Sequence, residues 1–265
     1  MPSATLSESR LFTPQDVEQF HRDGFAIVRS LADERMRTEM LRATLDGIGR
    51  EIEPIEYEAD LQYPGAPMSL DAQGGRTPRR LKQAHSRGIV FTDWLMHPGL
   101  TGRLRQLLGE DLVVPLAHHN CIMTKQPRYS SDTGWHQDVR YWSFTRPELI
   151  SIWLALGTED ERNGCLRLVP GSHRERLARD RFDEELFLRT DLLRSDLEEN
   201  QSLLSRQVQA ELEPGDVLFF HCLTLHAASR NHTADPKFSV VFTVRPLDNP
   251  PRPGTRSAAP ELLVP

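Results

Sequence analysis

A pentapeptide near the middle of this 265-residue chain, Gly134-Trp135-His136-Gln137-Asp138, sets the tightest condition on its fold. Side chains two apart on a β-strand share a face, so His136 and Asp138 can reach one metal ion together. A third donor stands far downstream, after Pro214-Gly215-Asp216 and the apolar run from Val217 to Leu225: it is His226. A chain that uses all three must bring the ends of distant strands together on a rigid β scaffold. Alone, a His-x-Asp pair is more often a surface or hydrogen-bonded strand pair. The downstream motifs in register carry the metal reading.

The rest of the sequence supplies such a scaffold. Thr13-Pro14-Gln15-Asp16 reads as a helix start, with Thr13 as N-cap and Pro14 at the first helical position, and Gly24 ends that helix. A second helix is expected from about Asp33 to Ile48, where Met36, Met40, Leu41, Thr44, Leu45 and Ile48 recur at helical spacing. Periodicity fails from Arg50 to Arg87, a Pro- and Gly-rich stretch expected to act as a lid over a pocket. Helix returns over Phe91 to Leu108, broken near Pro98-Gly99. Strands are then expected at Asp111–Pro115, Leu116–Lys125, Ile150–Leu156, Cys165–Val169, Gln207–Leu212, Val217–Leu225 and Phe238–Val244. On the third of these, Ile150, Ile152, Leu154 and Leu156 share one face. Leu177 to Ser205 reads as a charged insertion, and the Pro-rich tail from Pro250 to Pro265 as mobile at its end. The fold class is therefore mainly β with helical extensions: a jelly-roll barrel over about 111–246, preceded by a helical part over about 13–110, in a single domain.

Composition narrows the partners. The net charge of -6 argues against general nucleic-acid binding. No apolar run approaches the ~18–20 residues that span a bilayer, and Met1 to Arg10 has no apolar signal core. Cys121, Cys165 and Cys222 show no paired spacing, which fits a reducing cytoplasm. A small-molecule substrate is the expected partner. Lysine occurs only at Lys82, Lys125 and Lys237, with arginine supplying the other cations.

Two imidazoles and one carboxylate make the facial set of non-heme Fe(II) oxygenases, which leaves coordination positions open. Four motifs in order extend that reading: His21-Arg22-Asp23-Gly24-Phe25; Trp135-His136-Gln137-Asp138; Asn163-Gly164-Cys165-Leu166 leading into Val169-Pro170-Gly171-Ser172-His173; and Pro214-Gly215-Asp216 leading to His226 with Asn231 following. Together they resemble the phytanoyl-CoA dioxygenase family of Fe(II)/2-oxoglutarate oxygenases, over most of residues 13 to 245. The resemblance implies a double-stranded β-helix of the cupin-like, jelly-roll kind. It also implies Fe(II) held by His136, Asp138 and His226, 2-oxoglutarate and O2 as co-substrates, and hydroxylation of a C–H bond with release of succinate and CO2. The intact Asp138 speaks against the halogenation of related enzymes that lack this carboxylate.

One position departs from the family pattern. Eleven residues after the distal histidine, where the family carries an arginine for the far carboxylate of 2-oxoglutarate, stands Lys237. Lysine keeps the charge and loses the bidentate fork. Arg245, on the same face of a strand over 237–245, is the fallback, and His119 is a candidate donor to 2-oxoglutarate or substrate. Lys82, Gln83, Trp142, Trp153 and Arg167 are candidate substrate contacts. Each also has a plain structural reading: a solvated basic turn for Arg79, Arg80 and Lys82, core packing for Trp142, a helix–sheet interface for Trp153, and a water-facing side chain for Arg167. His221 and His173 read as packed or turn residues, not as ligands. Two other classes stand beside the hydroxylase: a same-barrel metal isomerase or oxygenase without 2-oxoglutarate, and a non-catalytic binding module.

Overall fold

The computed structural model describes residues 11–190 and 198–264, so the expectation for Met1–Arg10 and part of that for the 177–205 insertion lie outside it. The chain runs α1 (Pro14–Asp23), β1 (Phe25–Val28), α2 (Glu34–Gly49), β2 (Ile55–Tyr57), α3 (Glu58–Leu61), β3 (Pro78–Lys82), α4 (Ile89–Leu95) and α5 (Pro98–Leu108). It continues through β4 (Leu112–Pro115), β5 (Asn120–Lys125), β6 (Thr133–His136), β7 (Ile150–Ala155), β8 (Leu166–Leu168) and α6 (Glu198–Leu204). It ends with β9 (Val208–Ala210), β10 (Val217–His221), β11 (His226–Ala228), β12 (Lys237–Pro246) and β13 (Glu261–Val264).

Local chemistry sets the helix ends. Thr13 Oγ1 accepts from the Asp16 backbone N–H while the Asp16 carboxylate accepts from the Thr13 N–H, and Asp33 Oδ1 caps α2 one-sidedly by accepting from the Met36 backbone N–H. Gly24 closes α1 at φ 84°, where an added Cβ would stand 2.4 Å from His173 Nδ1 and 2.6 Å from Thr224 Oγ1. A glycine there turns the chain left-handed and lets two later loops pack against the helix end.

Two antiparallel sheets result. The larger follows the path β1-β10-β7-β12-β5-β3-β2, with β4 on β12 and β13 on β4; the smaller is β6-β11-β8-β9. Strand alternation sorts the side chains of the larger sheet into two layers. Ile152, Leu154, Val217, Phe219, Val240 and Phe242 face the helices and meet Phe91, Trp94, Leu100 and Leu104. Trp153, Leu218, Phe220 and Val241 point the other way, onto Leu166, Leu168, Ala210 and Ala228 of the smaller sheet. Burying a side chain such as Phe219 or Phe242, both fully enclosed, contributes about 1.5–3 kcal/mol. The double-stranded β-helix expected from the sequence is present, as two facing sheets that do not close into a continuous barrel. Among the described residues no helix is long and apolar enough to cross a membrane.

Four expectations change. Val217–Leu225 is not one strand: β10 ends at His221, and the chain crosses from the larger to the smaller sheet before His226 opens β11. The strand expected over Leu116–Lys125 starts only at Asn120, leaving His118 and His119 in the preceding turn. The irregular 50–87 stretch contains β2 and β3, and β3 pairs with β5 to extend the larger sheet. The tail does not trail away, since β13 pairs with β4.

Candidate metal centre

β6 and β11 lie side by side with His136 directly opposite His226, and the two imidazole centroids are 4.2 Å apart. Asp138 does not continue β6. It opens a 3-10 turn over Asp138–Tyr141, so the turn, not strand alternation, folds its carboxylate back toward the imidazoles. Gln137 ties that turn down, donating Nε2–H to the Leu223 carbonyl at 2.7 Å. Asp138 Oδ1 lies 3.4 Å from His226 Nε2 and 3.9 Å from His136 Nε2. One donor atom from each residue falls within 4.8 Å of the others, and all three residues are buried.

The orientation of the rings follows from the backbone. His136 Nδ1–H donates to the Gly134 carbonyl at 2.8 Å, and His226 Nδ1–H donates to the Thr224 carbonyl at 2.9 Å. A carbonyl only accepts, so each Nδ1 carries the proton and each Nε2 presents a lone pair inward. Burial, and then the neighbouring His226, hold His136 well below the usual imidazole range, in its neutral, ligating form. Two imidazole nitrogens and one carboxylate oxygen on one side of a cavity fit Fe(II) with open positions.

Two further groups orient the carboxylate. Ser151, fully buried on β7, donates its hydroxyl to Asp138 Oδ2 at 2.7 Å. His119 Nε2 lies 3.0 Å from Asp138 Oδ1. Burial alone would raise the Asp138 carboxyl; His119 and then His226 reverse this and hold it well below the carboxylate range. Burial would likewise lower His119, but Asp138 overrides it and raises it to about 9. His119, expected as a donor to co-substrate or substrate, is engaged with a member of the triad.

A cavity of about 220 Å³ opens from the triad. Buried Trp153, Phe220, Leu166 and Ala228 line it, together with Leu61, Tyr63, Trp142 and the half-exposed Tyr141. Trp142 packs on the rings of His118 and His119, at 4.9 and 5.5 Å between centroids. Arg79, Arg80, Lys125, Arg140 and Arg256 also reach the wall. Arg79 and Arg80 are thus enclosed, not a solvated basic turn. Lys82 and Gln83 do not reach the cavity; the half-exposed Lys82 pairs at 3.3 Å with Glu56, which does. Arg167 also stands outside, 5.2 Å over the Trp135 ring, because its neighbours Leu166 and Leu168 take the inward face of β8.

Neither anchor candidate is free. Lys237 Nζ donates to Glu159 Oε2 at 2.9 Å and lies 5.0 Å from the Trp153 ring centroid. The same Glu159, 1% exposed, also accepts from Trp153 Nε1 at 3.0 Å and Ser239 Oγ at 2.6 Å. Arg245 is committed at the far end of β12, to Glu261 and to the Pro246 and Leu247 carbonyls. Sequence reasoning missed Ser151 and Lys125, although parity carried a signal for both. Ser151 must oppose Ile150 and Ile152, and Lys125 shares its face with Cys121 and Met123.

Comparison with known proteins agrees with this geometry. The phytanoyl-CoA dioxygenase family model matches residues 20–239. Ectoine dioxygenase of Bordetella bronchiseptica is 25% identical over 256 residues, covering 90% of this chain and 78% of that protein. The human peroxisomal phytanoyl-CoA dioxygenase is 30% identical over 128 residues, 44% of this chain and 36% of that one. Among solved structures, EctD from S. alaskensis with 2-oxoglutarate and 5-hydroxyectoine superposes with a TM-score of 0.72 at 18% identity, covering 94% of this chain and 81% of that one. The carbocyclase SnoK from nogalamycin biosynthesis gives 0.72 at 20% identity over 96% and 97%. These two share the fold. The family match, with the His-Asp-His set beneath it, makes the chain a member of the phytanoyl-CoA dioxygenase family, an Fe(II)- and 2-oxoglutarate-dependent dioxygenase.

Proposed function

We propose that this protein hydroxylates a C–H bond of a small organic acid, with iron held by His136, Asp138 and His226. The observation that carries the metal assignment is the pair of backbone-locked imidazoles whose Nε2 atoms face Asp138 Oδ1 inside a buried cavity. When bound, Fe(II) with 2-oxoglutarate supplies an oxidant made from O2. The chain's own residues hold the ligands in register, keep water out and position the substrate. The intact carboxylate at Asp138 leaves no ligand position for a halide, which favours hydroxylation.

The charge of the cavity supports an acidic substrate. Five guanidinium or ammonium groups line it against two carboxylates, Glu56 and Asp138. Fe(II) and the 2-oxoglutarate dianion cancel one another, so an excess of positive charge remains for the substrate to meet. Arg140 and Arg256 line the cavity too, Arg140 standing 4.8 Å over the ring of the half-exposed Tyr141. At about 220 Å³ the cavity is smaller than the usual range for drug-sized ligands, which suits a compact molecule. Three buried free thiols, Cys121, Cys165 and Cys222, fit action in a reducing cytoplasm, as a single catalytic domain.

The test is an anaerobic titration with Fe(II) and then 2-oxoglutarate, followed by the visible charge-transfer band of the chelate. Succinate release is then measured across a panel of small carboxylic acids. Asp138→Ala is expected to weaken Fe(II) binding and abolish turnover; full activity in that variant would sink the triad assignment. Oxygen consumption without matching succinate would transfer the protein to the reading without 2-oxoglutarate.

A further inference from the structure

We infer that Lys125, with Arg79 beside it, forms a carboxylate subsite that receives the distal carboxylate of 2-oxoglutarate in place of Lys237. The inference rests on the co-substrate reading above. It starts from register. β5 and β12 are antiparallel neighbours, and Lys125 is paired directly with Lys237. Directly opposed residues project to the same side of a sheet, so two ammonium groups stand next to each other inside the fold.

Their partners differ. Lys237 has its own carboxylate, Glu159, which is saturated by Trp153 and Ser239 as well. A second carboxylate brought to Lys237 would share one ammonium with Glu159 and meet like-charge repulsion. Lys237 also fails to reach the cavity wall, whereas Lys125 and Arg79 do. Lys125 Nζ donates to the Ser131 carbonyl at 2.9 Å, and among the described residues it makes no ion pair. Its side chain is buried, at 8% exposure. Arg79 is 3% exposed; its Nη1 donates to Glu58 Oε2 at 3.2 Å and Ser131 Oγ at 2.7 Å, and its Nη2 to Thr133 Oγ1 at 2.9 Å. The Arg79 Nε–H is buried with no hydrogen-bond acceptor among the described residues, the nearest recorded carboxylate oxygen being Glu56 Oε1 at 4.0 Å.

Within this cluster four cations, Lys125, Lys237, Arg79 and Arg80, face three carboxylates, Glu56, Glu58 and Glu159. A buried cation without a counter-ion is unfavourable. One added carboxylate in the cavity balances the cluster and gives Lys125 its missing partner. The surrounding chain prepares the place. Asn231 Nδ2 donates to the Lys125 carbonyl at 2.9 Å and holds the end of β5. Gly164, at φ 79°, lets the Lys125 stem pass, since a Cβ there would lie 3.0 Å from Lys125 Cδ and 2.2 Å from the Ser229 carbonyl oxygen.

The experiment compares 2-oxoglutarate with 2-oxopentanoate, which keeps the 2-oxo acid head and chain length but lacks the distal carboxylate. Affinities for anaerobic Fe(II)-loaded protein are read from the charge-transfer band in wild type, in Lys125→Met, and in the charge-balanced pair Lys237→Met with Glu159→Gln. Wild type is expected to prefer 2-oxoglutarate by tenfold or more. That preference should fall to within twofold in Lys125→Met, with Fe(II) affinity unchanged and the thermal midpoint of the metal-free protein unchanged or raised. It should survive in the Lys237/Glu159 pair. Persistence of the preference in Lys125→Met, or its loss only in the pair, overturns the assignment. A lowered midpoint in Lys125→Met with no change in preference marks the lysine as structural only. If Fe(II) binds wild type and neither acid gives a band, the co-substrate reading fails instead. The subsite is then read from thermal stabilisation of the Fe(II) protein by glutarate. Stabilisation that Lys125→Met abolishes assigns the carboxylate to the primary substrate. Stabilisation that persists, or is absent from wild type, removes the subsite altogether.

Discussion

Replacing Ser151 with alanine removes one hydroxyl and nothing else, yet the position of that hydroxyl gives the change a calculable consequence. Ser151 Oγ is 2.7 Å from Asp138 Oδ2, and Ser151 is fully buried, so no water replaces the lost donor. A buried hydrogen bond to a charged group contributes about 1.5–3 kcal/mol, and its loss leaves a carboxylate oxygen unpaired. The metal-free protein should lose about that much stability in urea. Fe(II) affinity should fall about 10- to 100-fold, as when other groups that orient metal ligands are removed, because the carboxylate can then swing about the His119 contact. Equilibrium dialysis under anaerobic conditions measures the affinity directly. Ser239→Ala is the control: it deletes an equally buried hydroxyl-to-carboxylate bond, to Glu159 at 2.6 Å, and should destabilise comparably while leaving Fe(II) affinity unchanged. If Ser151→Ala binds Fe(II) within threefold of wild type, or if Ser239→Ala lowers metal affinity to the same degree, then Ser151 does not position the ligand.

Arg245→Ala should cost about 3 kcal/mol or more, since it strands the Glu261 carboxylate and two backbone carbonyls at the β12–β13 junction. Its 2-oxoglutarate affinity should stay within twofold of wild type, and a tenfold loss in the charge-transfer titration would restore Arg245 as the anchor. Burial, then Arg79 and Lys237, push the Lys125 ammonium well below its ordinary value of 10.5, with Glu58 and Asp132 opposing. The unfolded chain therefore binds more protons between the folded and unfolded values, and wild-type stability gains on Lys125→Met as pH rises through that window. The advantage of Lys125→Met should be full below the folded value and vanish near pH 10.5, and a difference that stays constant with pH would contradict the buried-cation argument.

Much of the scaffold was legible because its signals are local. Thr13 and Asp16 form their reciprocal cap whatever the rest of the chain does. The alternation of Ile150, Ile152 and Leu154 put them on one face of β7 before any partner was known, and only the packing shows that this face, not that of Trp153, meets the helices. The metal site was legible in part for the same reason and in part for the wrong one. His136 and Asp138 do converge, but through a 3-10 turn and not a continuous strand. His118 and His119 were placed on a strand that begins only at Asn120, so parity said nothing reliable about either. The expected mobile tail became β13 because β4 offered it an unpaired edge, a contact across more than 140 residues that no local pattern announces.

Residue identity and spacing alone say which groups this protein has to work with: two histidines and an aspartate in motif order, a strand with one apolar face, and a lysine where the family pattern has an arginine. Those follow from residue identity and from periods of two and of about 3.6, which are properties of short segments. Which charges meet depends on the packed fold. Burial removes water as a counter-ion, so each cation must find a carboxylate in space. Glu159, brought to Lys237 from a distant turn, and the absence of such a partner for Lys125 among the described residues depend on the packing of β5, β7 and β12.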